Sequence, residues 1–506
     1  MATEIKKKIT RNTIANYIGY SIRTVVNFFL FPFIVHRLGV TEAGIWFLLS
    51  SVTGYLGLLD LGIKPALVKH IAQYNAKGDK KSINQIVSIA FLIFLVMGAV
   101  AGVIMLIIGF LFPQFFRIDP EIISQARTSA YIVAGALFLS FPLSAIGGGV
   151  LNGLQRYDKT RTAGIFSSLS GAAAIVFLLS QGYGLVAVVL ADQITNFLGW
   201  LLNVYFAKRL APYLKIQFRN IKKEFVWKVF KFSGLIFIIK FASQIIYYTD
   251  KIVIGIFLNV GAIVFYEAAY KIHKVVTRIP MLLVSAMMPA SSELDAQKKP
   301  ETLKKLYLYS TKYMTAFFLF LVIPVLIFTK PILNLWIGPE FESSAIYARL
   351  FLIVTFFVLN HTAGMQILIG TGKIKSITRY QVIVAVFNLA LSIVLVKTIG
   401  LIGVVLGTVI PFIVMEWFYI KIAFKTLGVK WQEYIPKVLV KAYTPGLVSV
   451  AVLLILNHYF HPVRVHEIIL VIGINFIIYG SLFYFFGLGK FEKDQFKSLL
   501  KKEGKT

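Results

Sequence analysis

Between residues 262 and 289 an otherwise apolar run carries Glu267, Lys271, Lys274 and Arg278, spaced four, three and four apart. On an α-helix that spacing puts all four on one face, a stripe of about 16 Å at 1.5 Å per residue. Three more cations, Arg23, Lys240 and Lys251, stand inside long apolar runs, as do the acids Asp192, Asp250 and Glu416. Asp60 lies at the end of such a run, one turn before Lys64, and His361 follows Asn360 inside another. An ionisable group at mid-bilayer costs several kcal/mol and is usually tied to function. The six cations, Arg23, Lys240, Lys251, Lys271, Lys274 and Arg278, outnumber the acids available to neutralise them. An excess of positive charge inside a membrane suits an anionic ligand: arginine grips a phosphate bidentately, and lysine serves as a point charge.

The acids admit two readings. Glu267 with Lys271, and Asp250, fit a salt-bridge network between helices, and Asp60 fits a local pair with Lys64. Alternatively Asp60, Asp192, Asp250, Glu267 and Glu416, with His361 as a relay, serve in charge pairing or coupling. A buried carboxylate can hold a proton, or a sodium ion where carbonyls are near. The coupling ion is thus H+ or Na+, and no other cofactor or metal is implied.

Catalytic arrangements are missing from the sequence. There is no cysteine, which excludes thiolate nucleophiles, disulfides and iron–sulfur ligation. No GxxxxGK[ST] phosphate loop occurs. Asp119-Pro120-Glu121 and Glu340-Phe341-Glu342 are close acid pairs, but each sits in a short connection and reads as solvated loop charge. We therefore expect a protein that is not an enzyme.

The elements that position these groups follow from composition. Of 506 residues, 58% are hydrophobic and 15% charged, too apolar for a soluble globule. The apolar runs reach ~20 residues, enough to cross the bilayer as helices. Fourteen spans are expected, near 13–36, 43–63, 84–112, 124–149, 162–180, 184–206, 232–257, 262–289, 311–329, 345–369, 377–396, 399–420, 438–457 and 466–487. The fold class is an all-α membrane protein.

The net charge of +30 would suggest nucleic acid, but its placement argues otherwise. The N-terminus and every second connection hold 39 of the 52 Lys and Arg residues. That asymmetry predicts a multi-pass protein of the plasma (inner) membrane, both termini cytoplasmic. Its basic face meets anionic lipid headgroups, and no nucleic acid is a partner. The basic N-terminal segment runs into a full-length span, which reads as an uncleaved helix.

The chain also repeats itself. Residues 181–191 resemble 397–407, 152–156 resemble 369–373, and 75–83 resemble 295–303, in order and at nearly constant offsets. Duplication of this kind builds many transporters around a path between two lobes. We divide the chain into an N-lobe (1–207, spans one to six), a cytoplasmic linker with an amphipathic helix (208–231), a C-lobe (232–425, spans seven to twelve), and two additional helices with a basic tail (426–506).

Particular stretches resemble a known family. Gly57-Leu58-Leu59-Asp60-Leu61-Gly62-Ile63 with Ala66-Leu67-Val68-Lys69-His70 is similar to the second-helix region of polysaccharide-export flippases of the Wzx type. So are Thr249-Asp250-Lys251-Ile252-Val253, Tyr266-Glu267-Ala268-Ala269-Tyr270-Lys271 and Leu151-Asn152-Gly153-Leu154-Gln155-Arg156. These belong to the multidrug/oligosaccharidyl-lipid/polysaccharide exporter superfamily. The resemblance implies two pseudo-symmetric six-helix lobes in a V around a central cavity, with two extra helices. It implies a lipid-linked glycan as substrate, a polyprenyl-diphosphate oligosaccharide moved from the inner to the outer leaflet by alternating access. A monomer is expected, associated with glycan polymerase machinery. Two other functions are weighed: a cation-coupled multidrug exporter of the same superfamily, and a membrane glycosyltransferase or polymerase.

Overall fold

The computed structural model describes residues 2–218, 223–284 and 287–494; the side chains of 2–14, 223–236, 239, 247, 278, 279, 281–283, 359 and 360 also fall outside the described residues. Among the described residues the chain is all helical, without a strand. The order is α1 (Ala2–Leu56), α2 (Ile63–Ala76), α3 (Lys80–Phe110), α4 (Phe112–Phe115), α5 (Ile123–Ser144), α6 (Val150–Gly153), α7 (Tyr157–Ser180), α8 (Leu185–Leu210), α9 (Lys223–Phe257) and α10 (Ala262–Val284). It continues with α11 (Met287–Ala296), α12 (Pro300–Ile327), α13 (Thr329–Trp336), α14 (Ser344–Gly370), α15 (Ile374–Ile399), α16 (Leu401–Leu427), α17 (Trp431–Tyr434), α18 (Lys441–Tyr459) and α19 (Val465–Leu482).

Among the described residues ten helices are long and apolar enough to span a membrane, or eleven if the pair Ser344–Val358 and His361–Gly370, bent by 47°, counts as one. The chain is a multi-pass membrane protein. One of the ten, Ala15–Asp60, covers the first two expected spans. It is interrupted at Gly39, whose φ of 76° and ψ of 170° are not helical. The ten do not include α9 and α10, where the seventh and eighth expected spans fall.

The sequence repeat is written into the backbone. Gly78 turns α2 into α3 with φ 70°, and Lys298, 220 residues on, turns α11 into α12 with φ 53°. Gln155 (φ 57°) precedes α7 and Gly372 (φ 74°), 217 residues on, precedes α15. Lys298 and Gln155 occupy the left-handed region that favours glycine, so both halves make the turn with or without a glycine. A further match lies in 3-10 turns, Pro120–Ile122 and Pro339–Phe341. These turns contain Glu121 and Glu340, so two of the acids read as loop charge mark equivalent positions.

The chain divides into two compact units, Met1–Val264 with Ser392–Val404, and Phe265–Leu391 with Val405–Thr506. In the first, α3 packs on α5 and α7 on α8 and α1. Lipid tails are as apolar as the helices, so association rests on close backbone approach. Accordingly α3 turns Gly98, Gly102 and Gly109 toward α5: a Cβ at Gly98 would stand 2.9 Å from the Phe138 carbonyl oxygen, and one at Gly109 2.8 Å from Ala130 Cβ. The connection after α8 runs along α3. Asn84 Nδ2 donates to the Tyr213 carbonyl (2.9 Å), Asn84 Oδ1 accepts from Lys215 N–H (3.1 Å), and Ser88 Oγ accepts from Gln217 N–H (2.9 Å). Part of the expected linker helix lies at 219–222, outside the described residues; residues 211–218 form no helix, and α9 begins at Lys223. In the second unit α12 packs on α14 and α18, and α18 on α19.

Candidate functional site

In the first unit the site begins where the helix of the second expected span stops. A 3-10 turn, Gly57–Asp60, is followed by Leu61 and Gly62, both left-handed (φ 47° and 75°), before α2 starts. The break points the Asp60 carboxylate back at its own chain: Oδ1 accepts from Gly62 N–H at 2.9 Å. The same carboxylate takes the Lys240 ammonium of α9 at 2.7 and 3.0 Å. Lys64, the expected local partner, is close enough to feel Asp60's charge, but the direct ion pair is Lys240 to Asp60. Much of Lys240's charge is therefore neutralised where it stands.

Nearby, α8 presents Asp192, Asn196, Trp200 and Asn203 at steps of four, four and three. Asp192 Oδ1 accepts from Asn196 Nδ2 (3.1 Å) and Oδ2 from Gln193 Nε2 (3.0 Å). Asp192, Asn196 and Trp200, with Trp46, Ser50, Thr53 and Ser140, line a cavity of about 290 Å³. A second cavity of about 190 Å³ is lined by Lys64, Ser144, Asn152 and Asn203; Trp200 borders both. The two recesses meet at Trp200 of α8.

Arg23 of α1 is exposed, and its field reaches both Asp192 and Arg161. Arg161, in the first turns of α7, donates from Nε to Asn16 Oδ1 at 2.6 Å. Two guanidiniums with one nearby carboxylate leave net positive charge, suited to a phosphate. In the sequence Arg161 falls among the charges of the basic connections because it lies near a helix start. Asn196, Trp200 and Asn203 were also missed, although their helical spacing was legible; uncharged residues gave no alarm. The α8 N-terminus is capped across the unit by Glu42, whose Oε2 accepts from Leu185 N–H at 2.9 Å.

Asp250 and Lys251 on α9 are both buried. Ser392 Oγ donates to Asp250 Oδ1 at 3.5 Å, and Tyr55 is hydrogen-bonded to Thr249.

In the second unit α10 carries the charged stripe. Glu267 is buried, with Lys271 Nζ 3.8 Å from its carboxylate. Lys274 is exposed, its ammonium 5.9 Å from the centroid of the Tyr270 ring. The Arg278 side chain lies outside the described residues. The neighbouring face of α10 packs on α14, where Tyr266, Tyr270 and His273 surround Phe351 and His273 Nδ1 lies 3.3 Å from Thr355 Oγ1. Deeper in this unit, His361 Nδ1 of α14 lies 3.3 Å from Glu416 Oε2 of α16, both buried. Asn388 Nδ2 donates to Thr408 Oγ1 at 2.8 Å and to the Gly407 carbonyl at 3.2 Å.

Comparison with known proteins bears on the chain as a whole. Residues 9–295 match the family described as polysaccharide biosynthesis protein. A Shigella flexneri protein named as an O-antigen transporter is 20% identical over 425 residues, 81% of this chain and 97% of that protein. A Haloferax volcanii protein named as a low-salt glycan biosynthesis flippase is 22% identical over 449 residues, 84% of this chain and 85% of its own length. Among solved structures, the lipid II flippase MurJ in an inward closed conformation superposes with a TM-score of 0.72 at 16% identity, covering 94% of this chain and 98% of that one. An inward-facing multidrug resistance transporter of the MATE family gives 0.68 at 17% identity, covering 83% and 98%. The fold is that shared by these transporters.

Proposed function

Because the chain belongs to the polysaccharide biosynthesis protein family, a family whose relatives here are named as transporters and flippases, we propose that it carries a polyprenyl-diphosphate-linked oligosaccharide from the cytoplasmic to the outer leaflet by alternating access. The proposal includes the full topology: fourteen spans, two six-helix lobes with an additional helix pair, both termini cytoplasmic, in the plasma membrane. Association with glycan polymerase machinery belongs to the same proposal.

The observation that carries it is the α10 stripe. Lys271 and Lys274 stand less than one turn apart on a helix flanked by apolar runs, Lys274 is exposed, and Glu267 is the carboxylate that faces Lys271. Arg23 and Arg161 supply cationic charge in the first unit. We assign diphosphate binding to these groups and to Arg278. Lys240 and Lys251 belong to the same set, Lys240 with its charge already balanced by Asp60.

The energetics support outward movement. An inside-negative potential expels an anion, by ~2.3 kcal/mol per charge for each 100 mV. A diphosphate moving outward therefore needs no co-moving cation to cross; ion coupling serves to reset the empty protein. Binding must remain moderate in each state so that the headgroup can leave. A cation-coupled multidrug exporter shares the fold, but the cationic stripe would repel a cationic drug.

The test is the triple variant Lys271→Gln, Lys274→Gln, Arg278→Gln in cells that need the glycan exported. We expect translocation to be lost at normal membrane expression. Full export by that variant would remove the assignment.

A further inference from the structure

Five helices of the second unit converge on a buried polar cluster that diphosphate binding does not use. His361 comes from α14, Glu416 and Tyr419 from α16, Tyr380 from α15, Tyr307 from α12 and Tyr434 from the short α17. All six residues are more than nine-tenths buried. The His361 ring lies 3.9 Å from Tyr419 and 4.8 Å from Tyr380, centroid to centroid. Its Nδ1 is 3.3 Å from Glu416 Oε2. Around that pair Glu416 Oε1 and the hydroxyls of Tyr380 and Tyr419 are buried without a hydrogen-bond partner, while the Tyr307 and Tyr434 hydroxyls lie within reach of each other.

One such atom costs about 1–3 kcal/mol, and native proteins tolerate few. Three together beside a buried ionisable pair point to a non-protein occupant. The donor set identifies it. Phenol hydroxyls, an imidazole and a carboxylate can all hydrogen-bond water, and buried water commonly satisfies such groups. The two ionisable groups exchange protons, and the flanking phenol rings favour a cationic imidazole. An imidazole is a poor ligand for an alkali cation.

We propose that His361 and Glu416 form a hydrated proton-binding site in the second unit, walled by Tyr307, Tyr380, Tyr419 and Tyr434. In the closed site His361 is the imidazolium and Glu416 the carboxylate, a pair without net charge; either charge alone would be far costlier to bury. When water reaches the cluster, Glu416 accepts a proton on a carboxylate oxygen to give the neutral acid, leaving His361 protonated. Release reverses that step. The other titratable groups that face the pair are Tyr307 from α12, Tyr380 from α15, Tyr419 from α16 and Tyr434 from α17; Tyr443 of α18 feels Glu416's charge while its hydroxyl donates to the Phe356 carbonyl at 2.8 Å. As a proton site the cluster stands by itself; as the source of coupling it rests on the transport reading above.

The experiment is a titration of the full chain in lipid nanodiscs with 15N-labelled histidine, between about pH 5 and 8. The His361 signal is identified by its loss in His361→Gln. We expect that signal to report an imidazolium at the acid end, and Glu416→Gln to move its midpoint by about one pH unit or more, a tenfold change in proton affinity. A neutral His361 throughout, or a midpoint indifferent to Glu416→Gln, overturns the proposal, as does a response to sodium at constant pH. If Glu416→Gln does not fold, the unsubstituted chain still decides, because a neutral imidazole at about pH 5 is excluded by the proposal. Coupling is read separately in proteoliposomes. A pH gradient with the potential clamped should drive transport at least tenfold less in Glu416→Gln, and an unchanged rate overturns the coupling role. Absence of any glycan-lipid transport by the unsubstituted chain would sink the flippase reading but leave the histidine titration intact.

Discussion

The Asp60–Lys240 pair yields the sharpest test of how the first unit holds together. Asp60's side chain is 8% accessible and that of Lys240 36%, so the pair sits between an exposed bridge, ~0.2–1 kcal/mol, and a fully buried one, whose rupture costs ~3–5 kcal/mol. The two ends are not equivalent. Lys240→Gln strands a buried carboxylate, which keeps only the Gly62 N–H and the more distant charge of Lys64; we expect a loss of about 2 kcal/mol. Asp60→Asn keeps an oxygen for Gly62 N–H and leaves a lysine that can reach water, so about 1 kcal/mol is expected. The double variant removes the stranded charge and should recover part of the Lys240→Gln loss. In a thermal melt of purified protein, 2 kcal/mol corresponds to a shift of about 5 °C for a unit of this size. If Asp60→Asn proves the more damaging change, or if the double variant equals the sum of the singles, the buried carboxylate is not the costly partner and the reasoning fails.

Other expectations follow from single contacts. Gly78→Ala and Gly372→Ala have open space around the new methyl group and a positive φ, so each should cost about 1 kcal/mol from backbone strain alone, read as a lower melting temperature. Gly44→Ala should be worse, because its Cβ would collide with the Val260 carbonyl oxygen; a melting temperature equal to the parent's would contradict the packing. Asn84→Ala together with Ser88→Ala should release residues 213–217 from α3 and raise protease cleavage there severalfold. Glu492 is partly buried, which raises its pKa, but contacts from Lys312, Tyr313 and Gly489 N–H outweigh burial and hold it below the ordinary 4.5. A lowered carboxylate stabilises above its unfolded value and loses that contribution as pH falls through the folded one. The parent should therefore melt above Glu492→Gln at neutral pH, with the gap closing below about pH 4; a gap unchanged at low pH would refute the ion pair.

Much of this molecule was legible in one dimension. Twenty-residue apolar runs must be helices in lipid, because no solvent there satisfies an open backbone. The duplicated segments announced repeated turns, and the structure gives Gly78 and Lys298, then Gln155 and Gly372, the same left-handed conformation. Glu267 and Lys271 face each other because helical spacing alone brings them together. The pairings that cross between helices were different. Asp60 had a partner four residues away in sequence, yet Lys240, 180 residues away, reaches it because the chain breaks at Leu61 and Gly62 and turns the carboxylate toward α9. His361 and Glu416 read as coupling candidates, but nothing in their spacing announced that they meet or that four tyrosines surround them. Periodicity along a helix is fixed by covalent geometry and is therefore written in the sequence, whereas the neighbour across a helix interface is chosen by the packing of side chains, which only the folded chain decides.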